Sequence, residues 1–278
     1  MTSQSSRTNC IVCGNPYRHD LVGILRCNGC GLFYSGQVAG FGNPIQGMNA
    51  IAARNYVTVA DALERVMPLG GAMILDVGCA EGGFTERMLQ RGANCLGLEP
   101  DGKAARVALE KRLPIELVSF EGFAGEEGQF DAIIFNDVFE HLQDPDLALR
   151  KTMRLLKSGG FVVINAPVSS GFVFRVVRLA ALYGLRSAYR RIWAQGLSSP
   201  HIYFYNEATF RALLGKHGLS LVDKGRLVAL ASDGMYERVR STYGRLPAFA
   251  ISTVASLFVL VSGLFPGDVM YFLFKNEK

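Results

Sequence analysis

The chain has 278 residues, 49% of them apolar, and a mean hydropathy of +0.20, which is high for a soluble enzyme and leaves room for one full core plus a small extra module. Its net charge of +5 is modest but unevenly spread: residues 76–146 hold 15 acids against 6 bases, whereas residues 147–206 hold 9 Lys/Arg and no acid. The polar start, "MTSQSSRTNC", lacks an apolar h-region, so no secretory signal peptide is expected.

Four of the six cysteines form the first element. Cys10-x2-Cys13 is followed after thirteen residues by Cys27-x2-Cys30, and each pair runs into a glycine, "CIVCGN" and "CNGCGL". Two such knuckles place four thiolates around a tetrahedral Zn2+ at about 2.3 Å. The competing reading, two disulfides in a secreted module, goes against the polar N-terminus. A zinc ribbon over residues 1–36 is too small to bury a core, so the metal must supply its folding energy. Four thiolates leave zinc no open position, so the site is structural. Cys79 and Cys95 read as packing residues.

Residues 37–50, "QVAGFGNPIQGMNA", read as a linker, and residues 51–67 have helical spacing. Beyond them short apolar runs (72–77, 94–98, 115–119, 130–135, 160–165) alternate with helical segments near 82–91, 101–112 and 145–156. The triplet "SGG" at 158–160 is expected to stop the last helix. Such alternation predicts an α/β domain with a parallel sheet covered on both faces and ligands at the carboxyl ends of the strands. "HIYFYN", from His201, alternates like an ordinary strand, and "VMYFLF" at 269–274 reads as another.

Three strand ends carry polar residues where a ligand is expected. The first run leads into "MILDVGCAEGGF", a D-x-G-x-x-x-G order set by Asp76, Gly78 and Gly82. The dinucleotide order is G-x-G-x-x-G, and an acid at the strand end would repel a pyrophosphate. It suits a ligand with positive charge there, such as an amino-acid ammonium, while backbone N–H groups at the helix start can point at it. The second run, "NCLGLEP", ends in Glu99, placed to accept both hydroxyls of a ribose. The fourth, "FDAIIFND", ends in Asn136 and Asp137 and continues "VFEHLQDP". Each residue alone could be only a cap or turn former; three on successive strands favour a shared site.

With these motifs and "LLKSGGFVVINAP", the chain from residue 50 onward resembles the class I S-adenosylmethionine-dependent methyltransferases. It is most similar to the small-molecule branch in which the fourth strand leads into "EHL", and whose members often carry an N-terminal zinc ribbon. The resemblance implies a Rossmann-like, doubly wound seven-stranded sheet, six strands parallel and one antiparallel, over residues 51–278. It also implies roles by position. Gly78, Cys79, Ala80 and Gly82 would line the methionine portion of the cofactor, and Asp76 would hold its ammonium directly or through water. Glu99 would bind the ribose, Pro100 would lie near the adenine, and Phe120 and Glu121 would flank it. Asn136 and Asp137 would sit beside the reactive methyl.

A sulfonium is already a strong electrophile, so the protein must align an acceptor, exclude water and, for a hydroxyl, remove a proton. Of the four histidines, His19 lies in the ribbon and His217 reads as a helix cap. His141 follows the fourth strand and is the first candidate base. His201 follows an insertion at residues 168–200, where this fold commonly places substrate recognition, and is the second; Asp137 is a third. Tyr203 and Tyr205 could shape an acceptor pocket.

The function expected is methyl transfer to a small molecule, such as a hydroxyl of a sugar or lipid-linked glycan. One rival is an RNA methyltransferase that binds through the ribbon, but bases at Arg7, Arg18 and Arg26 are too few for a phosphate-tracking surface. The other is a non-catalytic cofactor-binding module. The enzyme is expected in the cytoplasm, with three readings open for its relation to a membrane. Residues 246–265 are twenty without a charge, long enough to span a bilayer core of about 20 residues. Pro266-Gly267 and the strand that follows oppose spanning. A helix at the membrane surface, joined by the basic stretch 172–193 with Arg175, Arg178, Arg186 and Arg190, would give peripheral attachment. The third reading packs both segments together over an apolar pocket or a dimer interface.

Overall fold

A computed structural model of the protein describes residues 7–37, 49–195, 199–229 and 264–278. Seven strands form the main sheet: β4 (Met73–Val77), β5 (Asn94–Leu98), β6 (Ile115–Glu116), β7 (Phe130–Asn136), β8 (Leu156–Pro167), β10 (Leu219–Leu227) and β11 (Val269–Asn276). Their order is β10-β11-β8-β7-β4-β5-β6, and only β11 runs antiparallel to its neighbours. The expected doubly wound sheet is therefore present.

Alternation along the central strands explains why both faces are covered. Leu75 and Val77 of β4 and Ile133 and Phe135 of β7 enter one core with α4 (Pro145–Leu155) and α7 (Glu207–Gly215). Ile74, Ala132 and Ile134 enter the other with α1 (Asn49–Glu64) and α2 (Gly83–Gln90), against Val59, Leu63, Phe84 and Met88. Asp144 caps α4 by accepting from Leu147 N (3.1 Å), and Pro145 starts it. Asn206 and Thr209 form a reciprocal capping box at α7.

Three expectations are corrected here. The helix expected over 101–112 is only α3 (Arg106–Glu110). "SGG" lies inside β8 rather than after a helix, with Gly159 at φ 70° and its N–H on the carbonyl of Lys278 (3.0 Å). The strand β10 went unread because "LSLVDKGRL" carries Asp223, Lys224 and Arg226 on an edge strand that one partner, β11, holds.

The ribbon, expected to be too small for a core of its own, docks on the rest of the chain. Its strands β1 (Tyr17–His19), β2 (Leu25–Cys27) and β3 (Phe33–Tyr34) form an antiparallel sheet completed by β9 (Tyr203–Phe204), which comes from the far part of the chain. Cys10, Val12, Cys27, Leu32 and Tyr34 share one buried cluster with Phe139, Tyr203 and Tyr205. Ile24 and Phe33 pack with Phe174, Tyr189, Trp193 and Phe204. The ribbon has no separate core, because so short a segment buries its apolar side chains only against a larger body.

The basic insertion holds two short helices, α5 (Phe172–Leu182) and α6 (Arg186–Ile192), broken at Tyr183–Leu185. One face of the pair covers the ribbon, where Arg178 pairs with Asp20 and Tyr189 donates to the same carboxylate (3.1 Å). Arg175, Arg186 and Arg190 are exposed. Among the described residues no helix is long and apolar enough to cross a membrane. The apolar segment expected at 246–265 lies outside the described residues except for Leu264 and Phe265, which form an exposed turn.

Candidate active site

The ends of β4, β5, β7 and β8 bring the expected polar residues to one edge of the sheet. Asp76 is 1% exposed and accepts from Thr85 Oγ1 of α2 (2.8 Å). Burial pushes its carboxyl up to about 6, against the lowering pull of that hydrogen bond. Glu99, directly after β5, accepts from Ala80 N (3.1 Å) and Asp101 N (2.9 Å), one on each oxygen. Burial also raises its pKa. A carboxylate has about four lone-pair sites, so each oxygen of Glu99 keeps capacity for a further donor.

The glycine loop differs from an anion cradle. Gly78 N and Cys79 N both donate to Leu98 O (2.8 and 3.0 Å), and Ala80 N is held by Glu99. Those N–H groups are satisfied inside the protein, so the loop presents carbonyls and carboxylates, which suits a cation. Gly78 has φ 71°, and a Cβ there would lie 2.5 Å from Val138 Cγ2, so glycine is required by both backbone and packing. Gly82, the N-cap of α2, has φ 77° and would meet Leu113 at 2.6 Å. Ala80 takes a positive φ of 46° without being glycine. The Cys79 side chain is buried, its sulfur 2.7 Å from where a Cβ on Gly97 would sit, so it is a packing residue.

On the adenine side the expected residues separate. Pro100 is half-buried and Glu121 is exposed. Phe120 is a core residue, with its ring edge-on to Phe135 at 5.4 Å and Lys151 Nζ above it at 5.4 Å. That lysine donates to the carbonyls of Glu121 (2.9 Å) and Phe123 (2.6 Å) and so fixes the turn after β6.

The reaction end of the site holds more than the sequence reading assembled. Buried Asn136 lies beside the Asp76 carboxyl and helps to lower its pKa, and Asn165 Oδ1 on β8 is unpaired. Asp137 stands at φ 54°, where its N–H donates to Asn165 O (2.9 Å). Its side chain is exposed, and the nearby buried Glu140 raises its carboxyl pKa. Glu140 is 1% exposed, raised by burial to about 8, and keeps Oε2 unpaired. Tyr56 of α1 reaches the same acids; burial raises its hydroxyl pKa, with Asp76 and Asp137 adding to the shift. Glu140, Asn165 and Tyr56 were missed. Only Glu140 carried a sequence signal, as the acid of "EHL"; the other two reach the site through tertiary packing.

His141 and His201 meet, with ring centroids 5.0 Å apart. His141 Nδ1 is 2.9 Å from Pro200 O, and His201 Nδ1 is 2.8 Å from Ile192 O. A carbonyl only accepts, so each Nδ1 carries the ring proton and each Nε2 is a bare lone pair. His141 Nε2 stands 4.0 Å from Glu140 Oε1. Burial lowers the pKa of His141, while the Pro200 carbonyl and Asp137 oppose it. Burial, with His141 adding to it, drives His201 down to about 3. Ligand atoms of Glu140, His141 and His201 lie within 4.8 Å of one another. His217 pairs with Asp146 on α4 (2.9 Å), and Tyr203 and Tyr205 are fully buried in the core shared with the ribbon.

The four ribbon cysteines converge, with all sulfurs within 4.8 Å and the closest pairs, Cys13–Cys27 and Cys10–Cys30, at 3.3 and 3.5 Å. These separations are far beyond a disulfide bond of about 2.05 Å and close to the roughly 3.8 Å edge of a tetrahedral zinc–thiolate site. Val12 N and Gly29 N each donate to a cysteine sulfur (3.4 Å), as thiolate ligands require. Gly14 and Gly31 close the knuckles at φ 74° and 75°. The donor set fits a structural zinc ion held by Cys10, Cys13, Cys27 and Cys30.

Residues 51–224 match the methyltransferase domain family, and the chain belongs to that family, within the class I S-adenosylmethionine-dependent methyltransferases. It is an enzyme fold whose cofactor is S-adenosylmethionine. A ubiquinone biosynthesis O-methyltransferase of Chromobacterium violaceum is 37% identical over 112 residues, covering 38% of this chain and 48% of that protein. The match spans about half the length of the curated relatives. Among solved structures, an S-adenosylmethionine-dependent methyltransferase from Mesorhizobium loti superposes with a TM-score of 0.54 at 14% identity, covering 77% of this chain and 96% of that one. A phosphoethanolamine N-methyltransferase of Haemonchus contortus, in complex with S-adenosyl-L-methionine, gives 0.53 at 16% identity, covering 84% and 58%. At these identities the structural likeness is one of fold.

Proposed function

We propose that the protein methylates a hydroxyl of a small molecule, with His141 as the general base. The cofactor would lie across the strand ends. Asp76 would take its ammonium region, Glu99 its ribose, and Gly78, Cys79, Ala80 and Gly82 its methionine chain through their backbone. Pro100 and the turn carrying Phe120 and Glu121 would bound the adenine. Asn136 and Asp137 would face the sulfonium.

The acceptor oxygen attacks the methyl carbon as the carbon–sulfur bond breaks, and the hydroxyl proton passes to His141 Nε2. The observation that carries this reading is the bare Nε2 of His141, fixed by the Pro200 carbonyl, beside the strand ends. Such a base contributes about 10²–10⁴-fold. His201, held near 3, is the poorer base and is assigned to orienting the acceptor. The curated relatives named for ubiquinone biosynthesis support a hydroxyl acceptor. A sugar or lipid-linked glycan remains the narrower proposal from the sequence. The test is transfer of a labelled methyl from the cofactor into lysate separated into small-molecule, lipid and RNA fractions, with mass analysis of the product. Label in small molecules or lipids supports the reading; label in RNA alone rejects it.

A second reading is favoured by the closeness of Glu140, His141 and His201. Two imidazoles whose Nδ1–H groups bind carbonyls, beside one buried carboxylate, are a donor set for a divalent cation. Such an ion would lower the acceptor pKa in place of a base. Turnover that rises with added Mg2+ or Mn2+ and loses that response in Glu140→Gln favours this reading; turnover indifferent to both metals rejects it.

A further inference from the structure

The zinc ribbon and the histidine pair are joined by a short, fully bonded path. Ser35, one residue beyond β3, is 6% exposed. Its Oγ donates to His201 O (2.8 Å), and its N–H donates to Ile202 O (2.9 Å). From the other side Ile202 N donates to Glu140 O (2.9 Å), and His201 N donates to Trp193 O (3.1 Å). The peptide carrying His201 is thus clamped between the ribbon and the turn that carries Glu140 and His141. The ladder continues as Tyr34↔Tyr203 and Phe33↔Phe204, with Tyr34 stacked on Tyr203 at 5.2 Å and the His201 ring against Phe204 at 5.2 Å.

We propose that the zinc ribbon is a positioning device for the acceptor side of the site, acting through Ser35 on the His201–Tyr205 segment. A two-residue strand such as β3 does not hold its own geometry. Its start is set by the second knuckle, where Cys27 N donates to the carbonyl of Leu32 (2.8 Å), the residue directly before β3. Metal at Cys27 and Cys30 therefore fixes β3, β3 fixes β9, and Ser35 fixes the orientation of the His201 peptide. The proposed cofactor residues lie outside this path, Asp76 on β4, Gly78 directly after it and Glu99 directly after β5. The ribbon's influence falls on the acceptor side and leaves the cofactor side alone. This inference rests on reading His201 as an acceptor-side residue.

The test uses full-length, zinc-loaded protein, diethyl pyrocarbonate as a histidine probe and S-adenosylhomocysteine as a cofactor-site probe. Peptide mass analysis gives the acylation rate of each histidine. In the native protein His201 reacts slowly. Stripping zinc, and separately Ser35→Ala with zinc retained, each raise its rate on the order of tenfold, the scale set by losing one buried hydrogen bond. His217, paired with Asp146 elsewhere, keeps its rate, and calorimetric affinity for S-adenosylhomocysteine stays within about threefold, a change below one hydrogen bond. Ser35→Thr, which keeps the hydroxyl, restores the slow rate. An unchanged His201 rate in both the stripped protein and Ser35→Ala overturns the proposal. So does loss of S-adenosylhomocysteine binding on zinc removal, because the ribbon would then support the whole fold and not one side of the site. These readouts follow the position of His201 whether or not it acts in catalysis; methyl transfer by His201→Ala tests that role separately.

Discussion

Buried carboxylates with raised pKa values are the feature that most clearly separates this site from structural acids. Asp76, raised to about 6, is partly protonated in the free protein near neutral pH. A sulfonium or ammonium beside it favours the ionised form. Cofactor affinity should therefore tighten as pH rises from about 5 to 7, through the free-protein value of Asp76, and level off above. S-adenosylhomocysteine, which lacks the sulfonium charge, should show a shallower rise. Calorimetry with both ligands across that range checks this; a flat profile for S-adenosylmethionine contradicts it. Asp76→Asn should weaken the cofactor by at least tenfold, the loss of one charge-assisted contact of about 1.5–3 kcal/mol. Sequence motifs named Asp76, Glu99, Asn136 and Asp137. They missed Glu140 because an acid in a short turn after a strand reads as a solvated residue until its burial is known.

Among elements, the glycine loop and the ribbon carry the sharpest consequences. Gly78→Ala forces a side chain into φ 71° and 2.5 Å from Val138, so it displaces the turn after β7 that bears His141 as well as the cofactor loop. The left-handed conformation alone costs about 1–2 kcal/mol. The variant should lose cofactor binding and melt lower; near-native binding by calorimetry would contradict the steric argument. The knuckle spacing made the four-cysteine site readable. Its packing was not, because the residues that receive it, Tyr203 and Phe204, lie some 170 positions later and look like any alternating strand. Because Cys27, Tyr34 and Tyr205 share one core, Cys27→Ser should lower one cooperative melting transition of the whole unit. A separate early transition for the ribbon, with the rest unmoved, would contradict one shared core.

At the level of the molecule, the site makes folding and cofactor binding interdependent. Asp76 and Glu140 have folded-state pKa values above the ordinary carboxylate range of about 4. Between about pH 4 and 8 the folded protein then binds more protons at these groups than the unfolded chain does, so their contribution to stability falls as pH rises. Their effect on the free protein's melting temperature should be a decline across that range, and saturating S-adenosylmethionine should reverse it by neutralising the acids. A ligand-induced increase in melting temperature that does not grow with pH would count against this. The parallel strands were readable because each strand–helix unit repeats a strong pattern, whereas the return through β10 and β11 depends on one edge strand rich in charge.

The central claim is that His141 removes the acceptor proton in a methyl transfer from S-adenosylmethionine. Single-turnover transfer of labelled methyl by native protein and His141→Ala, beside calorimetric cofactor affinity for both, tests it most directly. The account predicts a rate lower by about 10²–10⁴-fold with cofactor affinity unchanged. An unchanged rate, or a loss confined to cofactor affinity, would contradict it.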